Sequence, residues 1–327
     1  MLTPEQIESK LDHILLKVQK PGRYVGGELN TTLKDWNNVK TKVAFIFPDL
    51  YDLGISNVGL KILYDQVNQR EDALAERAYA PWVDMEAQMR ENGIPLYALE
   101  SKQPLACFDI IGFSLPYETL YTNTLNVLDL AGIPVKSADR DDSHPIIIAG
   151  GHSTLNPEPM HAFIDAFVIG EGEEVIHDII DTIMSLRAAE GGEAISSPNG
   201  RLLRAEKHHP RNDILKALAH IPGVYVPKFY EPQYLDDGTL SHIDSLLDDI
   251  ANPVVKRVVA KLPPPPTKFI VPNIGVVHNR ASVEIMRGCT RGCRFCHAGM
   301  ITRPVRERSV GEIVEAAVRA VEDTGFE

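Results

Sequence analysis

Four short apolar runs, at 43–47, 110–113, 146–149 and 166–169, restrict most strongly what this chain can fold into. A strand with one wet face alternates apolar and polar residues, so an unbroken apolar run belongs to a strand covered on both faces, as in a parallel sheet between helices. The segments between the runs carry the helical period that such a sheet requires. They predict helices at 57–68, 82–92, 118–131 and 173–187. In the third, Leu120, Val127, Leu128 and Ala131 face inward; in the fourth, Val175, Ile176, Ile179, Ile180, Ile183 and Leu186 do. Residues 42–190 are therefore expected to form a doubly wound α/β domain, and 44% hydrophobic content over 327 residues suffices for that domain and part of another.

Outside this domain the pattern is less regular. Residues 5–18 read as an amphipathic helix with Ile7, Leu11, Ile14, Leu15 and Val18 on one face, and residues 1–41 as an N-terminal helical arm. Residues 191–267 read as a connecting region: a Gly- and Ser-rich stretch at 191–200, an exposed His208-His209 pair, a helix at 212–220, and strand-like pieces at 223–227 and 229–234. A stiff Pro263-Pro-Pro-Pro266 linker closes it. A net charge of −12 argues against a general nucleic-acid binder or a basic membrane-surface protein. The N-terminus is not a signal peptide and no segment is apolar enough to span a bilayer. With cysteines that do not form a secreted disulfide framework, this gives a cytoplasmic expectation.

The chemistry is concentrated in Arg287-Gly-Cys-Thr-Arg-Gly-Cys-Arg-Phe-Cys-His-Ala-Gly299, which holds three of the four cysteines within eight residues. Cys289, Cys293 and Cys296 have the spacing CxxxCxxC, and Gly288, Gly292 and Gly299 permit the tight folding that lets three thiolates face one centre. Three ligands suit a cubane cluster with one open iron, whereas a closed zinc site takes four. Zinc with His297 as fourth ligand is the competing reading, although adjacent side chains such as Cys296 and His297 rarely converge on one tetrahedral ion. Seven arginines (280, 287, 291, 294, 303, 306 and 308) surround the motif. They balance thiolate charge or recognise an anion. Residues 282–286 read as a strand entering the loop, and Ser309-Val-Gly-Glu312 is a capping box opening a helix at 309–323 that stops at Gly325.

These residues resemble the radical S-adenosylmethionine (SAM) superfamily, whose signature is CxxxCxxC with an aromatic residue before the last cysteine, here Phe295. The resemblance implies a 4Fe-4S cluster on Cys289, Cys293 and Cys296, with SAM chelated at the open iron and reduced to a 5′-deoxyadenosyl radical, and Phe295 beside the SAM adenine. It also implies that 268–327 is the first β/α unit of a radical SAM partial TIM barrel, so that a second polypeptide would have to complete it and the chain alone would be inactive.

The loops leaving the apolar strands carry Asp49-Leu-Tyr-Asp-Leu-Gly54, then Ser114-Leu-Pro116, then Gly150-Gly151. This order is similar to the cobalamin-binding domain, with its DxHxxG, SxL and GG loops. The resemblance implies a cobalamin cleft lined by Asp49, Tyr51, Gly54, Ser114, Gly150 and Gly151. Tyr51 stands where that family has a cobalt-ligating histidine, and Pro116 where it has leucine. Gly150-Gly-His152, Pro157-Glu158 and Gly170-Glu-Gly-Glu-Glu174 extend the likeness to cobalamin-domain radical SAM proteins, in which cobalamin relays methyl groups in some members and other radical chemistry occurs in others. The rival classes are a cofactor-binding module without turnover and a zinc-stabilised interaction protein.

Overall fold

The computed structural model describes residues 1–188, 195–196, 202–203 and 211–326. A six-stranded sheet forms its centre. Strands β1 (Thr41–Phe47), β2 (Ala73–Tyr79), β3 (Ile110–Ser114), β4 (Ile146–Gly150) and β5 (Ala166–Val168) run parallel in the order β2-β1-β3-β4-β5. The sheet is closed on the β5 side by β6 (Val224–Tyr225), which is antiparallel and pairs Tyr225 with Phe167. It is thus a mixed, mostly parallel α/β sheet. The apolar strands form because Val, Ile and Phe in extended chain pack on both faces: β1 is buried along its whole length, as are Ile110, Ile111, Ile147 and Ala149.

The helices fall close to the expected places. After α1 (Pro4–Ile14) come α2 (Val58–Asn68), α3 (Val83–Asn92), α4 (Tyr121–Leu130), α5 (Gly172–Ala188), α6 (Arg211–Ala219) and α7 (Val310–Thr324). Thr3 caps α1 in a reciprocal capping box with Gln6, and Ile7, Leu11 and Ile14 bury its inner face, so the arm is packed into the core. Asn57 caps α2 through Leu60 N–H at 2.8 Å. The helix expected at 118–131 divides into a 3₁₀ turn, Glu118–Leu120, and α4. None of the described helices is long and apolar enough to cross a membrane.

Three features depart from the sequence reading. Strand β2 was not expected, because Glu76 and Arg77 interrupt its apolar pattern; both are buried. Arg77 donates to Glu100 Oε1 at 2.6 Å and Glu28 Oε2 at 3.2 Å, while Glu76 accepts from Ser101 Oγ at 2.6 Å. The segment at 229–234 is half of a hairpin, Tyr230–Tyr234 with Leu240–Ser245. The strand expected at 282–286 pairs only through Met286 and Arg287, antiparallel to Arg306–Glu307. The His208-His209 pair and nearly all of 191–200 lie outside the described residues.

Between β4 and β5 lies a buried charge cluster. Asp165, whose side chain is 0% exposed, accepts from Ile147 N–H at 2.7 Å and faces Arg140 Nη1 at 3.1 Å, with Arg211 also bonded to it. A carboxylate so placed is shared by two guanidinium groups that have little access to water, and offsets one of their two charges. Asp165→Ala is expected to lose about 3–5 kcal/mol by leaving buried charge unpaired. Urea denaturation at neutral pH measures this, and an unchanged midpoint would show that the cluster does not hold the sheet edge.

Candidate cofactor site at the strand ends

In a sheet ordered β2-β1-β3-β4-β5, chain connections leave β1 and β3 toward opposite faces, and the crevice beyond their C-terminal ends is the expected ligand position. Here that rim comprises Asp49, Ser114 and the Leu115-Pro116-Tyr117 turn, with the Tyr117 ring 6.5 Å from that of Phe47. Asp49 turns its carboxylate onto Leu50 N–H at 2.7 Å. Ser114 is the last residue of β3 and pairs in register with Gly150.

The glycines serve packing. Gly151 has φ +119°, and a Cβ there would stand 2.5 Å from Leu115 O, so only glycine lets the exits of β3 and β4 approach so closely. Leu115 N–H in turn donates to Gly150 O at 2.7 Å. Gly54 lies against the Tyr79 ring, which a Cβ would meet at 2.5 Å. Tyr51 is buried: its hydroxyl donates to Glu28 Oε1 at 3.0 Å and its ring meets that of Tyr79 edge-on at 5.2 Å. Burial first, then the Glu28 charge, push its phenol well above the usual tyrosine range. It donates a proton into the core.

The cysteine loop is built by backbone chemistry. Gly288, at φ +90°, lets the chain pass Pro304 O, which a Cβ would approach to 2.4 Å. Inside the loop, Cys296 N–H donates to Cys293 O at 3.0 Å and a single helical turn, Ala298–Ile301, follows. Gly299 N–H points at Cys296 Sγ at 3.3 Å, and Arg291 N–H at Cys289 Sγ at 3.4 Å. The absent side chain of Gly299 makes room for Cys296 Sγ and Cys289 Cβ, which lie 3.5 and 3.9 Å from where its Cβ would be. Two of the three cysteines are therefore gathered on one glycine. Cys293 and Phe295 are exposed, and no group of three metal-ligating side chains converges among the described residues. Cys107 sits apart, half-buried ahead of β3, with its Sγ 3.1 Å from Met1 Sδ.

An ionic clamp that sequence reasoning did not foresee joins this loop to the α/β domain. Arg287, immediately before the motif, meets Glu173 at 2.7 Å, Glu284 at 2.9 Å and Glu171 at 3.5 Å. Its ladder partner Arg306 donates to both oxygens of Glu171, at 2.5 and 2.6 Å. Gly170 opens this acidic turn at φ +114°, and Arg257 O would stand 2.2 Å from its Cβ, so the linker strand passes directly over it. Lys256 then donates to Ile301 O and Arg303 O. The acidic Gly170-Glu-Gly-Glu173 turn at a strand exit was the available signal for the clamp, since its carboxylates suit the arginines flanking the cysteines.

His152 is exposed on the Gly150-Gly151 loop, close to His297 of the cysteine motif. Loss of water around its ring, then repulsion from His297, hold its pKa below the ordinary histidine value. The Gly150-Gly151 loop thus comes near the cysteine motif at His297. Tyr51 is not part of that approach.

Burial would raise the Glu171 pKa, but Arg306, Val259 N–H and Arg287 together bring it below the ordinary 4.5. Its contribution to docking is thus complete above pH 4.5 and is lost as the pH falls through the lower folded value. Arg287→Met is expected to lower amide-exchange protection across 287–307 by about tenfold or more, from loss of charge-assisted hydrogen bonds. Mass-spectrometric hydrogen exchange, corrected for intrinsic rates, should show the same loss in the parent protein on acidification well below pH 4.5. Unchanged protection in both cases would remove the clamp from this account.

The profile of the family described as radical SAM proteins, N-terminal, matches residues 59–227. An uncharacterized protein of Methanocaldococcus jannaschii is 23% identical over 283 residues, which is 85% of this chain and 46% of that protein. Among solved structures, the radical S-adenosylmethionine methyltransferase TsrM from Kitasatospora setae, with tryptophan substrate and a SAM analogue bound, aligns with 87% of this chain and 46% of its own, at 12% identity and a TM-score of 0.41. The chain spans about half the length of these relatives. The family match begins in α2, ends just beyond β6 and takes in more than half of the residues, so the chain belongs to the radical SAM proteins, N-terminal family.

Proposed function

We propose that this chain is the cofactor-binding part of a radical SAM enzyme, in which Cys289, Cys293 and Cys296 hold a 4Fe-4S cluster that binds SAM. The observation that carries this reading is the cysteine loop itself, with backbone N–H groups directed at Cys289 and Cys296 and its base locked by Arg287 and Arg306 onto Glu171 and Glu173. The donor set fits the group. N–H groups aimed at sulfur stabilise thiolate charge, glycine at 299 leaves space between two ligands, and exposed Cys293 can turn inward without disturbing a packed core. When bound, such a cluster supplies one electron to SAM. The protein's own residues fix the ligands' spacing, balance their charge and present Phe295, which is 93% exposed, for stacking on a cofactor ring.

We further propose that the strand-end crevice accepts a cobalamin-type cofactor, with no cobalt ligand from residue 51. Tyr51 is committed to Glu28, whereas Asp49, Ser114 and Pro116 at the strand ends are only partly buried. Methyl transfer or another radical modification would follow, and the substrate would be held by additional polypeptide. The exposed valines of α7, Val310, Val314, Val318 and Val321, support such an addition, since an apolar stripe of this kind calls for a packing partner.

Anaerobic reconstitution is expected to load about four irons with matching sulfide. Cys289→Ala, Cys293→Ala and Cys296→Ala should each abolish loading and Cys107→Ala should not. Zinc in place of iron would favour the interaction-protein reading. A cluster without 5′-deoxyadenosine formation from SAM, even with the completing polypeptide added, would favour a binding module. The chain by itself is expected to cleave SAM only at background.

A further inference from the structure

The edge strand β2 carries a buried carboxyl group that is held only by neutral donors. Glu76 is 3% exposed, and its Oε2 accepts from Ser101 Oγ at 2.6 Å and from Ser101 N–H at 3.2 Å. Among the described residues, no arginine or lysine forms an ion pair with it. The adjacent Arg77 points to the other face of the strand, where Glu100 takes its Nε at 2.6 Å and Glu28 its Nη2 at 3.2 Å. Lys61 and Tyr64 of α2 stand beside Arg77 on that face. Lys102 directs its ammonium at two carbonyls, Leu99 O at 2.6 Å and Val25 O at 2.7 Å, with the Tyr97 ring 5.9 Å away. Glu8 of α1 lies toward Lys102, and Lys42 of β1, on the Glu76 face by register, stands over the Trp36 ring.

A carboxylate taken out of water without a cation in contact is strongly disfavoured, so such a group keeps its proton. Burial first, then the Glu100 charge, push the Glu76 carboxyl up to about 7, while Ser101 and Lys102 act in the opposite direction. The turn that bonds Glu76 also fastens the N-terminal arm. Its successive residues Glu100, Ser101 and Lys102 reach Arg77, Glu76 and Val25 O. Gly26, at φ +67°, packs against the same turn, since a Cβ there would stand 2.2 Å from Leu99 O. Charge that appears on Glu76 is therefore set against Glu100 within the segment that holds residues 25–28 to the sheet edge.

We propose that Glu76 is a proton-operated latch: protonated, it lets the turn at 99–102 close on the sheet edge, and ionised, it loosens that turn together with arm residues 25–28. The sign follows from a folded value above the ordinary 4.5. The stability contributed by the closed turn is complete below 4.5 and is lost as the pH rises through about 7. The latch thus opens on the alkaline side, whereas the Glu171 clamp opens in acid.

The test is hydrogen exchange of the 327-residue protein, read by mass spectrometry at about pH 6 and about pH 8.5 and corrected for intrinsic rates. Protection at 25–28 and 99–102 is expected to fall about tenfold between the two, the change for one carboxyl that titrates at 4.5 in the open turn and at about 7 in the closed one. Glu76→Gln keeps an acceptor for Ser101 but cannot ionise, so it should abolish the fall. Infrared spectra of the parent protein at the lower pH should show a protonated-carboxyl band that this variant lacks. Ser101→Ala removes a hydrogen bond that favours the ionised form and should move the loss of protection to higher pH. Thermal melting establishes that both variants fold. Equal protection at the two pH values in the parent protein would overturn the proposal. So would an equal fall in Glu76→Gln, which would assign the titration to Lys102 or another group, or a requirement for sodium or potassium in place of the protonated-carboxyl band.

Discussion

The cysteine loop is held to the sheet chiefly by charge. Arg287 and Arg306 sit opposite each other on a two-residue ladder and present guanidinium forks to Glu171 and Glu173, on the turn that leaves β5 and opens α5. These groups are largely shielded from water, so their attraction is less screened than that of a surface pair, while the added hydrogen bonds offset the loss of hydration. Burial would favour the neutral form of Arg287, yet Glu284 and Glu173 raise its pKa above the ordinary arginine value. The alternating sign matters. A basic segment flanking three thiolates needs carboxylates to dock on, and the Gly170-Glu-Gly-Glu173 turn supplies them where the sheet ends.

The parallel sheet was legible because its inner strands consist of residues that can only be buried. Strand β2 was not, since Ala73–Tyr79 carries Glu76 and Arg77 at its centre and reads locally as half-polar. Its partners, Glu28 and Glu100, lie far away in the sequence, and no local pattern shows that they meet Arg77. The same limit applied at the cysteine loop. Its spacing and the capping box of α7 were readable from neighbouring residues, and Ser309 does accept from Glu312 N–H at 3.2 Å. The seven arginines were visible as well, but their purpose depended on the fold: Arg287, Arg306 and Arg308 reach carboxylates, and Arg303 reaches Gly299 O at 3.1 Å.

The glycine motifs show a subtler difference. Gly150 and Gly151 were read as lining a cofactor cleft, and in the folded chain the atom that comes closest to Gly151 is Leu115 O, as Arg257 O comes closest to Gly170. A sequence shows that a side chain must be absent but not what takes its place. Such glycines still bear on function indirectly. By letting the exits of β3 and β4 close up, Gly151 sets the position of the His152 loop opposite His297.

The two parts of the chain are stabilised by different forces. The sheet rests on buried Val, Ile, Leu and Phe side chains, each contributing about 1.5–3 kcal/mol. The segment from Met286 onward buries Ala316 and Ala320, leaves much of the α7 valine face in solvent and depends on ion pairs, the Lys256 hydrogen bonds and the Arg308 contacts with Glu284 and Pro263 O. Ion pairs weaken with salt and with acid, whereas aliphatic burial does neither. Loosening of the loop is therefore separable from unfolding of the sheet. A metal centre that binds only the docked loop would draw its apparent affinity partly from the clamp, because each increment of docking free energy raises the fraction of chains in which the cysteines are positioned to bind.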